Sequence, residues 1–262
     1  MILEVKKISK SFGGVQAVKD CSFALEEKKI TALIGPNGAG KTTVFNIVNG
    51  FIAPDFGHVI FQNQDVTNLP AWERSRLGMS RTFQLSRLFK NLSLEENLIL
   101  AARYDDDLFW KNLFKNSEAS GIKQKIEETL ELVGLKKDLK TRVTDLSYGE
   151  QKLFDITRAL VNPHTMLLFD EPVAGVNPVI RERLKELMVR LKGGAAPNEG
   201  RASPRWPSGR ESILLVEHDM DFVRGVADHV IVMDQGSVLV QGEPEKVLRD
   251  KQVLEAYLGI AV

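Results

Sequence analysis

Gly35-Pro36-Asn37-Gly38-Ala39-Gly40-Lys41-Thr42 fits the spacing G-x-x-x-x-G-K-[ST] at every position. The chemistry of such a run is phosphate binding. Glycines let successive backbone N–H groups converge on phosphate oxygens with no Cβ in the way. The helix that follows aims its positive dipole end at the same anion. Lys41 is placed to reach β- and γ-phosphates, and the Thr42 hydroxyl suits Mg²⁺.

A second group of chemically suited residues lies far along the chain. Met166-Leu167-Leu168-Phe169 is an apolar run ending in Asp170 and Glu171. In a parallel sheet the carboxyl end of a strand faces the ligand crevice. Asp170 is then positioned to support Mg²⁺, directly or through water, and Glu171 to polarise a water for attack on a γ-phosphate. Carboxylates also begin ordinary turns, so the pair gains its meaning from the phosphate loop. His218 ends a third apolar run, Ile213–Val216. It reads either as a surface histidine or as a contact for the γ-phosphate at a neighbouring strand end. Ser147 and Glu150 have capping-box spacing, so Leu146–Gln151 reads as a well-capped helix start. The same Ser147 hydroxyl, the Gly149 N–H and the helix dipole also form an anion site. One domain needs one phosphate loop, so a second anion site suggests a nucleotide held by a partner subunit.

The elements that must position these groups alternate between short apolar runs and helical patterns, the habit of α/β domains. Ile30–Ile34 reads as a buried strand feeding the glycine-rich turn, followed by a helix from Thr42 to about Asn49 that Gly50 ends. Val59–Phe61, Ser80–Phe83, Met166–Phe169, Ile213–Val216 and Val230–Met233 read as further strands. Asp234-Gln235-Gly236-Ser237 reads as a hairpin turn leading to Val238–Val240. Between Ser93 and Ala159 the pattern is mostly helical. Ser93 and Glu96 have capping-box spacing, and Ile122, Ile126, Leu130 and Val133 form a stripe expected to pack in a core. A helical block is thus inserted in an α/β frame. Gly193–Glu211, rich in Gly, Pro, Ala and Arg, has no periodicity. It reads as a surface loop, as an interaction segment using Arg201, Arg205, Trp206 and Arg210, or as a sequence anomaly.

Composition narrows the classes. The 262 residues carry 35 Lys+Arg and 35 Asp+Glu, for zero net charge. That argues against gripping nucleic acid through an overall basic surface. One cysteine, Cys21, excludes a disulfide framework and a cysteine-built zinc site. With 43% hydrophobic and 27% charged residues the chain is expected to be globular. No apolar run approaches the ~18 residues of a membrane span, and charge appears too early for a signal peptide.

Taken together, Phe12, Gly35–Thr42, Gln84, Leu146–Gln151, Asp170-Glu171, Ala174–Pro178 and His218 stand in the order found in the ATP-binding cassette subunit of ABC transporters, which this chain resembles over nearly its whole length outside 193–211. The resemblance implies a single cassette with a mostly parallel core sheet, an antiparallel β subdomain and an inserted helical subdomain. Residues 1–84 and 158–262 would form the ATP-binding core, 85–157 the helical subdomain and 193–211 an irregular insertion. It implies that Phe12 stacks on adenine, that Val18 lines the ribose pocket, and that Gln84 contacts Mg²⁺ and the attacking water while reporting on a membrane subunit. Gly35, Pro36, Asn37, Gly38, Ala39, Gly40, Lys41, Thr42 and Thr43 would hold ATP, with Ser147, Gly149 and Gln151 acting on ATP bound by the opposite cassette. Mg²⁺ would be held by Thr42, Gln84 and Asp170. Glu171, His218, Gln84 and Lys41 would carry catalysis, and Asn177 would lie in the loop linking the two sites.

The implied partners are a second cassette, integral permeases meeting a groove around Leu85–Leu92, and, indirectly, an extracytoplasmic substrate-binding protein, with no nucleic acid. The implied place is the cytoplasmic face of the membrane. Tyr148 and Glu150 depart from the commonest signature, LSGGQ, and Asn177 replaces the usual Asp. These features, Arg81-Thr82-Phe83-Gln84, Glu95-Glu96-Asn97-Leu98 and Glu255-Ala256-Tyr257-Leu258-Gly259 are similar to cassettes of branched-chain amino-acid importers, and the tract after Asn97 to the longer cassette type. Cassettes for urea or lipopolysaccharide transport, a soluble ABC nucleotide switch, and a P-loop kinase are the alternatives.

Overall fold

The computed structural model describes residues 1–82, 88–102, 116–193 and 211–258. Two sheets carry the fold. The larger has six strands in the order β10-β9-β3-β8-β7-β6. They are β3 (Ile30–Ile34), β6 (Met79–Arg81), β7 (Met166–Asp170), β8 (Ser212–Val216), β9 (His229–Asp234) and β10 (Ser237–Gly242). Pairing from β6 through β9 is parallel, and β10 returns antiparallel to β9. The smaller sheet is antiparallel, in the order β2-β1-β4-β5, from β1 (Leu3–Phe12), β2 (Val15–Leu25), β4 (Phe56–Phe61) and β5 (Gln64–Asp65).

The central strands β3, β7 and β8 are buried at every position and mostly apolar because both sheet faces are covered. Successive side chains point to opposite faces. Ile30, Ala32 and Ile34 thus join one core with Leu167, Phe169, Ile213, Leu215, Val230 and Val232. Leu33, Leu168, Leu214, Val216 and Ile231 join the other, with Leu3, Val5, Phe23 and Phe61 of the small sheet. Helix α1 (Lys41–Val48) buries Val44, Phe45, Ile47 and Val48 in this second core. It starts one residue earlier than the sequence reading placed it. Gly50 ends it as expected, at φ 76° with its N–H on the Ile47 carbonyl.

A short helix α2 (Ala71–Arg76) leads to β6, and the helical block follows. It comprises α3 (Leu94–Ala101), α4 (Asn116–Val133) and α5 (Tyr148–Val161). Leu94, Leu98, Ile126, Leu130, Val143, Leu146, Phe154 and Val161 form its own core. Helix α5 is shared. Its Leu153, Ile156, Ala159 and Leu160 face the main core, while Phe154 and Val161 face the helical one. The subdomain boundary expected at 157 therefore falls inside a continuous helix, one side of which serves each body. Val133 also belongs to the main core, unlike its stripe-mates Ile126 and Leu130.

Helices α6 (Pro178–Gly193), α7 (Met220–Val226), α8 (Pro244–Val247) and α9 (Lys251–Leu258) complete the chain. The two ends of the tract read as irregular belong to packed structure. Gly193 ends α6, and Glu211 is buried with its N–H on the Leu191 carbonyl at 3.0 Å. Positions 194–210 lie outside the described residues. Cys21 is buried, and burial pushes its thiol up to about 12. No helix among the described residues is long and apolar enough to cross a membrane.

Candidate active site

Parallel pairing brings the carboxyl ends of β3, β7 and β8 to one edge, where the chain continues into Gly35, Glu171 and His218. This is where an open α/β sheet binds its ligand. The phosphate loop is held from behind by backbone. A Cβ on Gly35 would lie 2.2 Å from the Met233 carbonyl oxygen, and one on Gly40 would lie 2.5 Å from that of Ala17. Gly40 also needs a left-handed φ of 95° to open α1. The β9–β10 hairpin turn, with Gln235 and Gly236 both at positive φ, closes against this loop through the Gly236 N–H on the Ala39 carbonyl. Asn37 and Gly38 are exposed at its crest, and a Cβ on Gly38 would meet nothing within 4 Å.

Lys41 is buried, with Nζ donating to the carbonyls of Gly35 and Pro36, both at 2.8 Å. Burial pulls its ammonium below the ordinary lysine range, and the Glu171 carboxylate opposes that shift. The lysine is thus a charge stored inside the loop it closes. Thr42 is exposed at the helix start, and Thr43 half-buried.

Glu171 adopts φ 48°, a left-handed conformation uncommon for a residue with a side chain. Its N–H is fixed on the Val216 carbonyl, and its Oε1 lies 3.1 Å from Nε2 of His218. Buried Glu217, given no role from the sequence, supports this corner. Its carboxylate accepts the N–H of Val173 at 2.9 Å and of His218 at 3.0 Å. Desolvation raises the Glu217 carboxyl above its usual range despite those bonds.

Asp170 is buried with Oδ2 at 2.8 Å from Arg81 Nη2. Burial pushes its carboxyl up, and the guanidinium pushes back. Among the described residues no three His, Cys, Asp or Glu cluster to hold a metal by themselves. One hydroxyl and one carboxylate nevertheless fit Mg²⁺, which keeps waters and takes phosphate oxygens rather than a protein cage. Gln84, expected as a further ligand, lies outside the described residues.

Phe12 stands at the tip of the β1–β2 hairpin, 46% exposed, with Lys10 Nζ 5.6 Å from its ring centre. An aromatic face is thus open to a flat ligand. Val18 was expected to line a ribose pocket. It is fully buried in the second core, because β2 turns Val18, Cys21, Phe23 and Leu25 inward through a bulged register with β1.

Ser147 caps α5 as its spacing predicts. It accepts the Glu150 N–H while Glu150 returns to the Ser147 N–H at 2.9 Å. Gly149 packs closely on α6, where a Cβ would lie 3.1 Å from the Ile180 side chain. Gln151 turns Nε2 back to the Leu146 carbonyl at 3.0 Å. Tyr148, which replaces a glycine of the commonest signature, donates from its hydroxyl to the Ala174 carbonyl at 3.3 Å. Asn177 caps α6, its Oδ1 accepting the Ile180 N–H. Ser147 and Tyr148 remain exposed, on a different element from the chain's own phosphate loop.

Residues 18–174 match the ABC transporter family. A high-affinity branched-chain amino acid transport ATP-binding protein of Pseudomonas aeruginosa is 36% identical, covering 99% of this chain and 98% of that one. A probable branched-chain amino acid transport ATP-binding protein of Archaeoglobus fulgidus is 37% identical over 98% and 95% of the two chains. Among solved structures, a nucleotide-free ATP-binding cassette from an ABC transporter superposes with TM-score 0.80 at 31% identity, covering 99% of each chain. The ADP conformation of an ATP-binding cassette of an ABC transporter gives 0.80 at 32% identity, again over 99% of each.

Proposed function

From the premise that this chain belongs to the ABC transporter family of ATP-binding cassettes, we propose that it hydrolyses ATP to power import of branched-chain, hydrophobic amino acids. The observation that carries the hydrolytic part is the Glu171–His218 pair beside the phosphate loop, at the ends of adjacent parallel strands. The cargo rests on the names of relatives similar over nearly the whole length of both chains.

In this reading Phe12 stacks on adenine. The loop from Gly35 to Thr43 surrounds the phosphates with backbone N–H groups, and Lys41 leaves its carbonyl partners for the β- and γ-phosphates. Thr42 and Asp170, with Gln84, hold Mg²⁺. Bound there, the ion supplies neutralising charge to the phosphate oxygens. Glu171 takes the proton of the attacking water, a role worth roughly 10²–10⁴-fold in rate. His218 holds the Glu171 carboxylate in place and presents its ring to the γ-phosphate. One cassette needs only one phosphate loop for its nucleotide, so Ser147, Gly149 and Gln151, a second anion-binding helix start, act on ATP held by a second cassette, which completes each site. That cassette is a copy of this chain or a related one.

The permease face is the groove between core and helical block. It is a cavity of about 610 Å³ whose walls include Phe51, Trp72, Arg76, Phe89 and Leu100. Phe51, Trp72, Phe89 and Leu100 are all exposed, an apolar patch suited to a protein segment. The expected contact at Leu85–Leu92 adjoins it, although 85–87 lie outside the described residues. Membrane association then comes through the permease, on the cytoplasmic face, with an extracytoplasmic binding protein delivering cargo.

The test is affinity purification of the tagged chain from membranes, followed by reconstitution of what co-purifies in liposomes holding ATP. ATP-dependent uptake of radiolabelled leucine or valine is the expected result. Uptake of urea, or lipopolysaccharide extraction, in place of leucine would overturn the cargo. Co-purification with ribosomes alone would overturn the transport role.

A further inference from the structure

Arg81 ends the edge strand β6 with a side chain only 10% exposed, and it touches three parts of the molecule at once. Nη2 donates to Asp170 Oδ2 at 2.8 Å. Nη1 donates to Asn46 Oδ1 at 2.8 Å, on the helix that Lys41 opens. The guanidinium carbon lies 4.6 Å from the ring centre of Phe45 on that helix and 5.2 Å from that of Phe51. Phe51 is 46% exposed, and both Phe51 and Arg81 line the groove between core and helical block.

We propose that Arg81 is a positioning residue that relays occupancy of the groove to the Asp170 carboxylate. The inference rests on the ATP reading of the site and adds a physical link through Phe51, Arg81 and Asp170. A guanidinium is planar and its donors are fixed relative to one another. A group that enters the groove and displaces the Phe51 ring therefore tilts the fork, and the fork carries Asp170 and Asn46 with it. A buried ion pair is weak evidence for a purely stabilising role, since apolar replacements of similar volume are often as stable. A lysine keeps the charge but holds one point rather than a fork.

The experiment exploits the single cysteine. Cys21 is buried with its thiol pushed up to about 12, so a maleimide finds only a cysteine introduced in the groove. Trp72→Cys, at a groove residue 57% exposed, is labelled with pyrene maleimide to fill the groove. Mn²⁺ affinity of the ATP-loaded chain is read by electron paramagnetic resonance before and after labelling, with Arg81 present and in Arg81→Lys. Labelling is expected to shift Mn²⁺ affinity by about threefold or more with Arg81 present, the lower range of coupling between contacting groups. In Arg81→Lys the shift should vanish. Equal shifts in both backgrounds, or no shift with Arg81 present, would overturn the relay. If Arg81→Lys does not fold, Asn46→Ala loosens the fork without removing charge and should at least halve the shift; an undiminished shift overturns the relay equally. Failure of the parent chain to show any ATP-dependent Mn²⁺ site would instead overturn the ATP reading beneath it.

Discussion

Lys41 spends its charge on two carbonyls of its own loop in the absence of phosphate. Those bonds hold the ammonium at the floor of the crevice, so nucleotide meets a preplaced cation. A charge-assisted bond of this kind contributes about 1.5–3 kcal/mol. Lys41→Ala is expected to weaken ATP binding by roughly 10- to 100-fold or more in titration calorimetry; unchanged affinity would contradict the phosphate-loop assignment. At this scale the sequence was most legible where chemistry demands a fixed spacing, as in Gly35–Thr42 and Asp170-Glu171. It was least legible where the role depends on a distant partner. Nothing local marks Arg81 as the counter-charge of Asp170, because the two meet only when β6 pairs with β7. The role of Glu217 was hidden for the same reason, since one of the N–H groups it accepts, that of Val173, comes from the turn after β7. The burial of Val18 was not readable either, because bulges between β1 and β2 decide which side chains face inward.

Two helices offer a matched comparison at the next scale. Ser93 and Ser147 each cap a helix through a complete capping box, with Glu96 and Glu150 as the reciprocal partners. Both spacings were readable in the sequence. Ser93→Ala and Ser147→Ala should each cost about 1 kcal/mol of stability in urea unfolding, since each removes one cap. Only Ser147→Ala should lower ATP turnover beyond that shared cost, because only that helix start is assigned to nucleotide. Equal turnover in the two variants would reduce Leu146–Gln151 to a well-capped helix. Of the small sheet only Val59–Phe61, inside β4, was read from sequence. In β1, Lys6, Lys7, Ser9, Lys10 and Ser11 interrupt the alternation that marks a half-buried strand, and the register shifts there account for the interruption. Helix α5 was legible as a helix but not as a shared one. Which of its faces meets which core is set by tertiary packing rather than by its own period.

At the scale of the molecule, the β8–α7 corner that carries His218 is fixed to α6 by Arg181. Its guanidinium donates to both oxygens of Asp219 at 2.7 and 2.8 Å, and Asp219 also caps α7. The Arg181 bond, aided by the Phe222 N–H, holds the Asp219 carboxyl below its usual range. A lowered carboxyl contributes stability that is present above its unfolded value, about 3.9, and lost as pH falls through the folded value. Asp219→Asn should therefore be less stable than the parent at neutral pH, with the gap closing below about pH 4. Urea midpoints at pH 7 and pH 3 check this, and a constant gap would contradict it.

Balanced charge and an exposed apolar groove agree with a cassette that docks on protein at two faces, one toward a permease and one toward a second cassette. Both faces matter only if the crevice turns over ATP with Glu171 as its base. The most direct test is the purified chain against Glu171→Gln, with ATP affinity and phosphate release measured on the same samples. The account predicts ATP affinity within about threefold of the parent and a turnover lower by roughly 10²–10⁴-fold. Near-parental phosphate release by Glu171→Gln would contradict it.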